Sequence, residues 1–284
     1  MGYPTAGPCC VSHAASFFFL FFFFFFFGLS SSSLLVFIII ACPCLHGRNK
    51  ISLWSRLLIH FWALQVERKV TDSPSDPDPV EFLQQAYEET IRAATTPPHE
   101  WFGTTTSVTA LLHWSADDAG APRPVLYVTN LGDSTVLVIR PREKKLLFRT
   151  ADQCHWFDCP YQLGTNSIDT PRENAAMSKI DLEEHDIVLA LSDGIMDNLW
   201  EQEVLTVTLD SVAQWDEAHG QGGNPSIPDE RMVFVARELL KAACAIAQDP
   251  YSESPYMEKA IDEGLSFQGG RSRSLLSPVF QCAD

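Results

Sequence analysis

Apolar and polar positions alternate in short runs through the middle of the chain and give way to helical spacing on either side. Val80, Leu83, Ala86, Tyr87 and Ile91 recur three or four residues apart, which predicts an amphipathic helix over 79–94. Pro97-Pro98 stops it. Strands are predicted over 107–113, 125–130, 135–140, 145–149 and 186–191, with a polar loop over 115–124. Helices are predicted again over 198–209 and 229–248, the second with Met232, Val235, Ala236, Leu239, Leu240 and Ala243 along one face. The Gly-rich stretch 214–228 reads as a surface insertion. Consecutive hairpins followed by helices predict an α+β layered domain rather than a doubly wound parallel sheet.

The amino-terminal end follows neither pattern. Residues 17–27 are phenylalanine except for Leu20, and Gly28, Leu29, four serines and an apolar run over 34–41 follow. The uncharged stretch 17–42 is long enough for a membrane span, which needs about 20 apolar residues. Basic residues lie only on its carboxyl side, so an anchor here would leave the rest of the chain on the cytosolic or matrix face. Residues 48–64 mix basic and apolar side chains without acids, as mitochondrial presequences do. Three readings of segment 1–70 stand open: a membrane anchor, a targeting segment and a gene-model artefact. The Ser-, Asp- and Pro-containing stretch 71–79 then leads into a domain over 71–270, and 271–284 reads as an unrelated tail.

Composition sharpens this division. The 284 residues carry a net charge of −16, and no Asp or Glu occurs before Glu67, so the acidity belongs entirely to the remainder. A chain of this sign lacks the basic face that nucleic acid requires. The eight cysteines are scattered without a C-x-x-C pair, which argues for reduced thiols rather than a disulfide framework. Cys154, His155 and Cys159 offer a partial metal-ligand set with no fourth member at a familiar spacing.

The chemistry concentrates after the last strand. The apolar run 187–191 ends in Ser192-Asp193-Gly194-Ile195-Met196-Asp197. If a helix starts there, the spacing of four puts Asp193 and Asp197 one turn apart on the same side. Two carboxylates fixed at the edge of a core suit a hard divalent cation such as Mg or Mn, and the alternative is an ordinary strand end with Asp193 as a helix cap. A second acid, Asp133, falls at the tip of a predicted hairpin formed by Asn130-Leu131-Gly132-Asp133-Ser134.

Gly103-Thr104-Thr105 before a strand, the Asn130–Ser134 connection and the Ser192–Asp197 segment, in that order, resemble the metal-dependent type 2C Ser/Thr protein phosphatases (PPM type). The stretch 153–164, Gln-Cys-His-Trp-Phe-Asp-Cys-Pro-Tyr-Gln-Leu-Gly, is most similar to the mitochondrial branch of that family. The resemblance covers roughly 97–270. It implies a four-layer αββα sandwich of two antiparallel sheets flanked by helices. It implies hydrolysis of phosphoserine and phosphothreonine in protein substrates by water activated between two Mg or Mn ions. It assigns Asp193 to one of the paired metals, and Asp133 and Asp197, with Asp193, to a weaker third site.

Two elements of the family pattern are absent. No Asp-Gly occurs before Trp101, and Gly269-Gly270 continues into Arg271-Ser272-Arg273 instead of an acidic pair. Fewer carboxylates leave the charge of two close cations uncompensated, so the sandwich and its paired-metal site are expected to be incomplete. A catalytically inactive relative acting as a binding module is therefore the alternative function. A haloacid-dehalogenase chemistry is excluded because it needs Asp-x-Asp, and Ile195 stands two residues after Asp193. Ser134 reads as a turn residue, His155 as a structural histidine or a proton donor, and Thr104 to Thr106 as hydrogen-bonding residues at a strand start. Trp101, Trp156 and Trp200 read as core or rim packing.

Overall fold

The computed structural model describes residues 39–40, 43–44, 51–72, 76–97, 101–116, 120–220, 228–266 and 269–270. The elements are β1 (Ile39–Ile40), β2 (Pro43–Cys44), α1 (Ile51–Asp72), α2 (Pro79–Thr95), β3 (Thr104–Thr105), β4 (Ser107–Ala116), β5 (Pro122–Leu131), β6 (Thr135–Arg140), β7 (Lys145–Arg149), β8 (Cys154–Trp156), β9 (Cys159–Pro160), β10 (Leu163–Gly164), α3 (Pro171–Asn174), β11 (Ala176–Asp181), β12 (Ile187–Leu191), α4 (Asp193–Met196), α5 (Glu201–His219), α6 (Pro228–Gln248) and α7 (Pro255–Asp262). One antiparallel sheet has the order β1-β4-β5-β11 and a second the order β12-β6-β7.

The period-two alternation of the strands builds the layers. Val108, Ala110 and Leu112 of β4 and Leu126 and Val128 of β5 meet Val136 and Val138 of β6 and Ala190 of β12 between the two sheets. The intervening Leu111, Val125, Tyr127 and Leu131 point the other way, onto α1 and α2. Leu137, Ile139, Leu189 and Leu191 likewise turn outward onto residues of α4, α5 and α6. The result is the expected αββα order, with a core between each pair of layers.

The helix α2 starts where Asp78 accepts the Glu81 N–H at 3.0 Å, with Pro79 in the first turn. The segment preceding it differs from the sequence reading. Within 48–64, which resembles a presequence, Trp54, Leu58 and Trp62 of α1 are buried at 1% exposure or less and pack with Phe82, Leu83 and Ala86 of α2. Their spacing of four gives α1 an apolar stripe that the acid-free composition obscured.

Other boundaries move for identifiable reasons. The connection Gly132-Asp133-Ser134 is not a hairpin tip: β5 pairs with β4 and β11, whereas β6 pairs with β12 and β7. Both strands are apolar on both faces, so each is claimed by its own sheet and the turn carries the chain across the sandwich. The loop 115–124 shortens because β4 and β5 stay paired as far as Ala116 and Pro122. Part of the expected insertion at 214–228 is helix to His219, where Trp215 stacks on His219 and packs against Phe234 of α6. The strand β11 escaped notice because it is an edge strand with mostly exposed or half-exposed side chains.

Among the described residues no helix is long and apolar enough to cross a membrane. The 17–42 stretch lies outside them except for 39–40, and so does the tail at 271–284.

His113 on β4 couples the fold to pH. Burial holds its pKa below the ordinary histidine value, against the opposing pull of Asp76, whose Oδ1 is 3.7 Å from Nε2. The folded state thus resists a proton that the unfolded chain accepts, so stability is lost as pH falls below about 6.5. The thermal midpoint is expected to fall between pH 7 and pH 5 more steeply in the native chain than in His113→Gln. Equal slopes would remove His113 from the account.

Candidate functional site

Asp193 and Asp133 reach the same end of one sheet through strand register. Thr135 of β6 pairs with Leu191 of β12, so the turn that carries Asp133 and the start of α4 that carries Asp193 leave the ladder at the same end. Ser192 is the N-cap of α4, and Asp193 opens the helix with its Oδ1 accepting the Gly194 N–H at 2.8 Å. Ser192 holds the N-cap position, but its side chain makes no capping hydrogen bond, and the side-chain acceptor at this helix start is Asp193 one residue later. The Asp197 N–H donates to the Asp193 carbonyl at 2.7 Å, which closes one turn and stacks the two acids as their spacing predicts. Both are buried, at 9% and 7% exposure.

Side-chain amides fix the two turns. Asn198 Nδ2 donates to the Gly194 carbonyl at 2.9 Å. Asn130 Nδ2 donates to the carbonyls of Gly132 and Ala151 at 3.2 and 3.0 Å. Gln153 completes the clamp: its N–H donates to the Gly132 carbonyl at 3.0 Å and its Oε1 accepts the Gly132 N–H at 3.2 Å. Gln153 was in view at the head of the 153–164 stretch, but its role was not legible because its partner lies 21 residues away. Asn130 was in view within its motif. Ser134 is a turn residue whose hydroxyl pairs with that of buried Thr106 at 2.9 Å.

The donor chemistry fits a hard divalent cation in kind, since all three candidates are carboxylates and two are buried. It does not fit in number. Among the described residues no group of three or more His, Cys, Asp or Glu side chains converges to hold an ion, the sets around Asp133 and around Cys154 included.

Cationic groups stand beside this end of the sheet. Lys259 of α7 donates to Asp152 at 2.9 Å, and its ammonium is held protonated by Asp152 and by the nearby Asp197 carboxylate against the cost of burial. Arg149 bridges Asp152 and Glu201. The Tyr256 N–H donates to the Asp197 carbonyl at 3.0 Å, docking α7 on the α4 turn.

Cys154 stands within reach of the Asp133, Asp152 and Lys259 charges. Partial burial of its thiol, reinforced by the charges of Asp133 and Asp152, pushes its pKa up to about 11. Although the residue is at the surface, its alkylation by iodoacetamide at pH 7.5 is expected to be slow, because the thiolate is scarce. Asp133→Asn should accelerate it. A rate equal to that of a free thiol peptide would show that the local charge is misplaced. His155 is bound by Asp169, and Trp156 is 56% exposed, which places it outside the core and beside the His155 ring.

No family model matches the sequence. Individual proteins do. Over half of its length the chain is 31% identical to rice "Probable protein phosphatase 2C 1", covering 37% of that protein. Over 56% it is 31% identical to the human "Protein phosphatase PTC7 homolog", covering 51% of that one. The chain is similar in sequence to type 2C protein phosphatases of plants and animals. A longer match, 27% identical over 80% of the chain, is to the type 2C phosphatase numbered 80 of Arabidopsis thaliana, of which it covers 46%. The chain thus spans about half or less of the length of these relatives. Among solved structures, that of the photosystem II phosphatase PBCP superposes with a TM-score of 0.54 over 81% of this chain and 79% of that one. At 23% identity that likeness speaks to the fold, the type 2C αββα sandwich.

Proposed function

We propose that this chain acts on phosphoserine and phosphothreonine in protein substrates, hydrolysing them with a divalent metal ion. The observation that supports the reading is the pairing of Leu191 with Thr135, which brings the Asp133 turn and the Asp193 helix start to one sheet end, with Asp197 one helical turn on. Asp133, Asp193 and Asp197 would be the residues to hold one Mg or Mn ion if their side chains drew together, since as placed no three acidic side chains among the described residues converge on one ion. When bound, such an ion acidifies coordinated water and offsets charge on the phosphoryl oxygens. The chain's own residues supply placement: Asn130 and Gln153 hold the Asp133 turn and Asn198 holds the α4 turn. Lys259 and Arg149 set positive charge at the rim where a phosphate approaches.

Release of phosphate from a phosphoserine peptide by the full chain is expected to require Mn. Asp193→Asn should lower kcat/KM by roughly a hundredfold or more. Undiminished turnover in that variant would remove Asp193 from the site. A second reading has its own support, because the carboxylates do not close into a three-ligand set. On that reading the chain recognises phosphoproteins without turnover, and the same assay would show binding and no released phosphate.

The location we propose is mitochondrial or membrane-associated, with the phosphatase-like domain on the matrix or cytosolic side. Basic, acid-free sequence ahead of the domain supports it. Because Trp54, Leu58 and Trp62 are core residues, a removable leader would have to end before α1.

A further inference from the structure

The β8–β9 hairpin pairs with no other strand among the described residues, and its strand side chains are exposed or half-exposed. A ladder of this size is marginal in water by itself. Gln153 anchors its base: the Tyr161 N–H donates to the Gln153 carbonyl at 2.9 Å, and Gln153 Nε2 donates to the Asn174 carbonyl at 2.7 Å. The second anchor is His155.

Its partner Asp169 is 3% exposed. Asp169 Oδ2 accepts the Gln162 N–H at 2.9 Å and the Ser167 hydroxyl at 3.2 Å, and stands 3.1 Å from His155 Nε2. A buried carboxylate without compensation is costly, and among the described residues His155 is the basic side chain paired with it. An acceptor at that position assigns the proton to Nε2. The imidazole also lies against the Tyr161 ring, with centroids 4.4 Å apart. The Tyr161 carbonyl in turn stands so close to Gly132 that a Cβ there would meet it at 2.8 Å. Contacts therefore run without a gap from Asp169 through His155 and Tyr161 to the turn that carries Asp133.

We propose that the His155–Asp169 pair is a clasp that positions the β8–β9 hairpin on the Gly132–Asp133 turn, so that Trp156 forms one wall of a phosphopeptide site. The inference rests on the phosphatase-fold reading above. His155 acts through the hairpin and not on phosphorus, so it is a positioning residue. The exposed indole face of Trp156, with the acidic Asp158 two residues on in the same hairpin, suits a segment with Arg or Lys beside the phosphorylated residue.

The test uses the full chain and two readouts. One is the anisotropy, in Mn, of a fluorescein-labelled, arginine-flanked peptide whose phosphoserine is replaced by its non-hydrolysable phosphonate, and the other is amide exchange in the hairpin. His155→Ala is expected to weaken the peptide roughly threefold or more, a loss set by hairpin order rather than by direct contact. It should also speed exchange at the Tyr161 and Gln162 amides. His155→Gln, whose side-chain N–H can still reach Asp169, should restore both, and Trp156→Ala should lose affinity while exchange stays slow. The proposal is overturned if His155→Ala leaves exchange unchanged, if His155→Gln is as loose as the alanine variant, or if exchange accelerates with no change in affinity. A native chain that binds no phosphopeptide would contradict the phosphatase-fold reading, and the exchange result would still decide the clasp.

Discussion

Trp62→Ala is expected to destabilise the chain by about 3–5 kcal/mol, the usual cost of deleting a large buried aromatic side chain. The indole is fully buried, in the cluster that joins Leu58 and Val66 of α1, Phe82 and Leu83 of α2, and Leu111 and Tyr127 of the first sheet. Removing it leaves a void among elements that already pack on one another and cannot easily collapse into it. For a domain of this size the loss corresponds to a drop of roughly 10 °C in the thermal midpoint. Urea unfolding followed by circular dichroism would read it directly. A change within about 0.5 kcal/mol would mean that the Trp62 side chain is solvent-accessible and that α1 is not part of the core.

The second large effect is expected at the turn between the sheets. Gly132 has φ of 114°, outside the range that side chains favour. A Cβ there would come within 2.6 Å of Thr106 Cγ2 and 2.8 Å of the Tyr161 carbonyl oxygen. One contact is with backbone and the other with a buried β-branched residue, so neither can step aside. Gly132→Ala should therefore cost about 3 kcal/mol or more, from backbone strain and overpacking together. It should also displace Asp133 and speed the alkylation of Cys154, whose raised pKa that carboxylate reinforces. A variant as stable as the native chain, with the Cys154 rate unchanged, would show that the turn is roomier than these distances say.

Sequence periodicity located the main strands and α2 because their apolar residues recur at intervals that only one element type satisfies. It placed Asp193 and Asp197 one helical turn apart for the same reason. The crossing of the chain at Gly132 was not legible, because two apolar runs flanking a short turn look alike whether they join one sheet or two. The helix α1 was hidden by its composition, in which basic residues and an apolar stripe match a targeting segment as well as a core helix. Asp169 carried no local signal: its importance comes from burial and from His155, fourteen residues upstream. Nor could spacing show that the three carboxylates, though gathered at one sheet end, stop short of a closed ligand set.

The most direct test of the central claim is a titration of the full chain with Mn, following free Mn by electron paramagnetic resonance. One saturable site is expected in the native chain, with at least roughly tenfold weaker binding in each of Asp133→Asn, Asp193→Asn and Asp197→Asn and thermal midpoints close to native. Affinity unchanged across all three variants would contradict the claim, and the carboxylates at this sheet end would then not be a metal site.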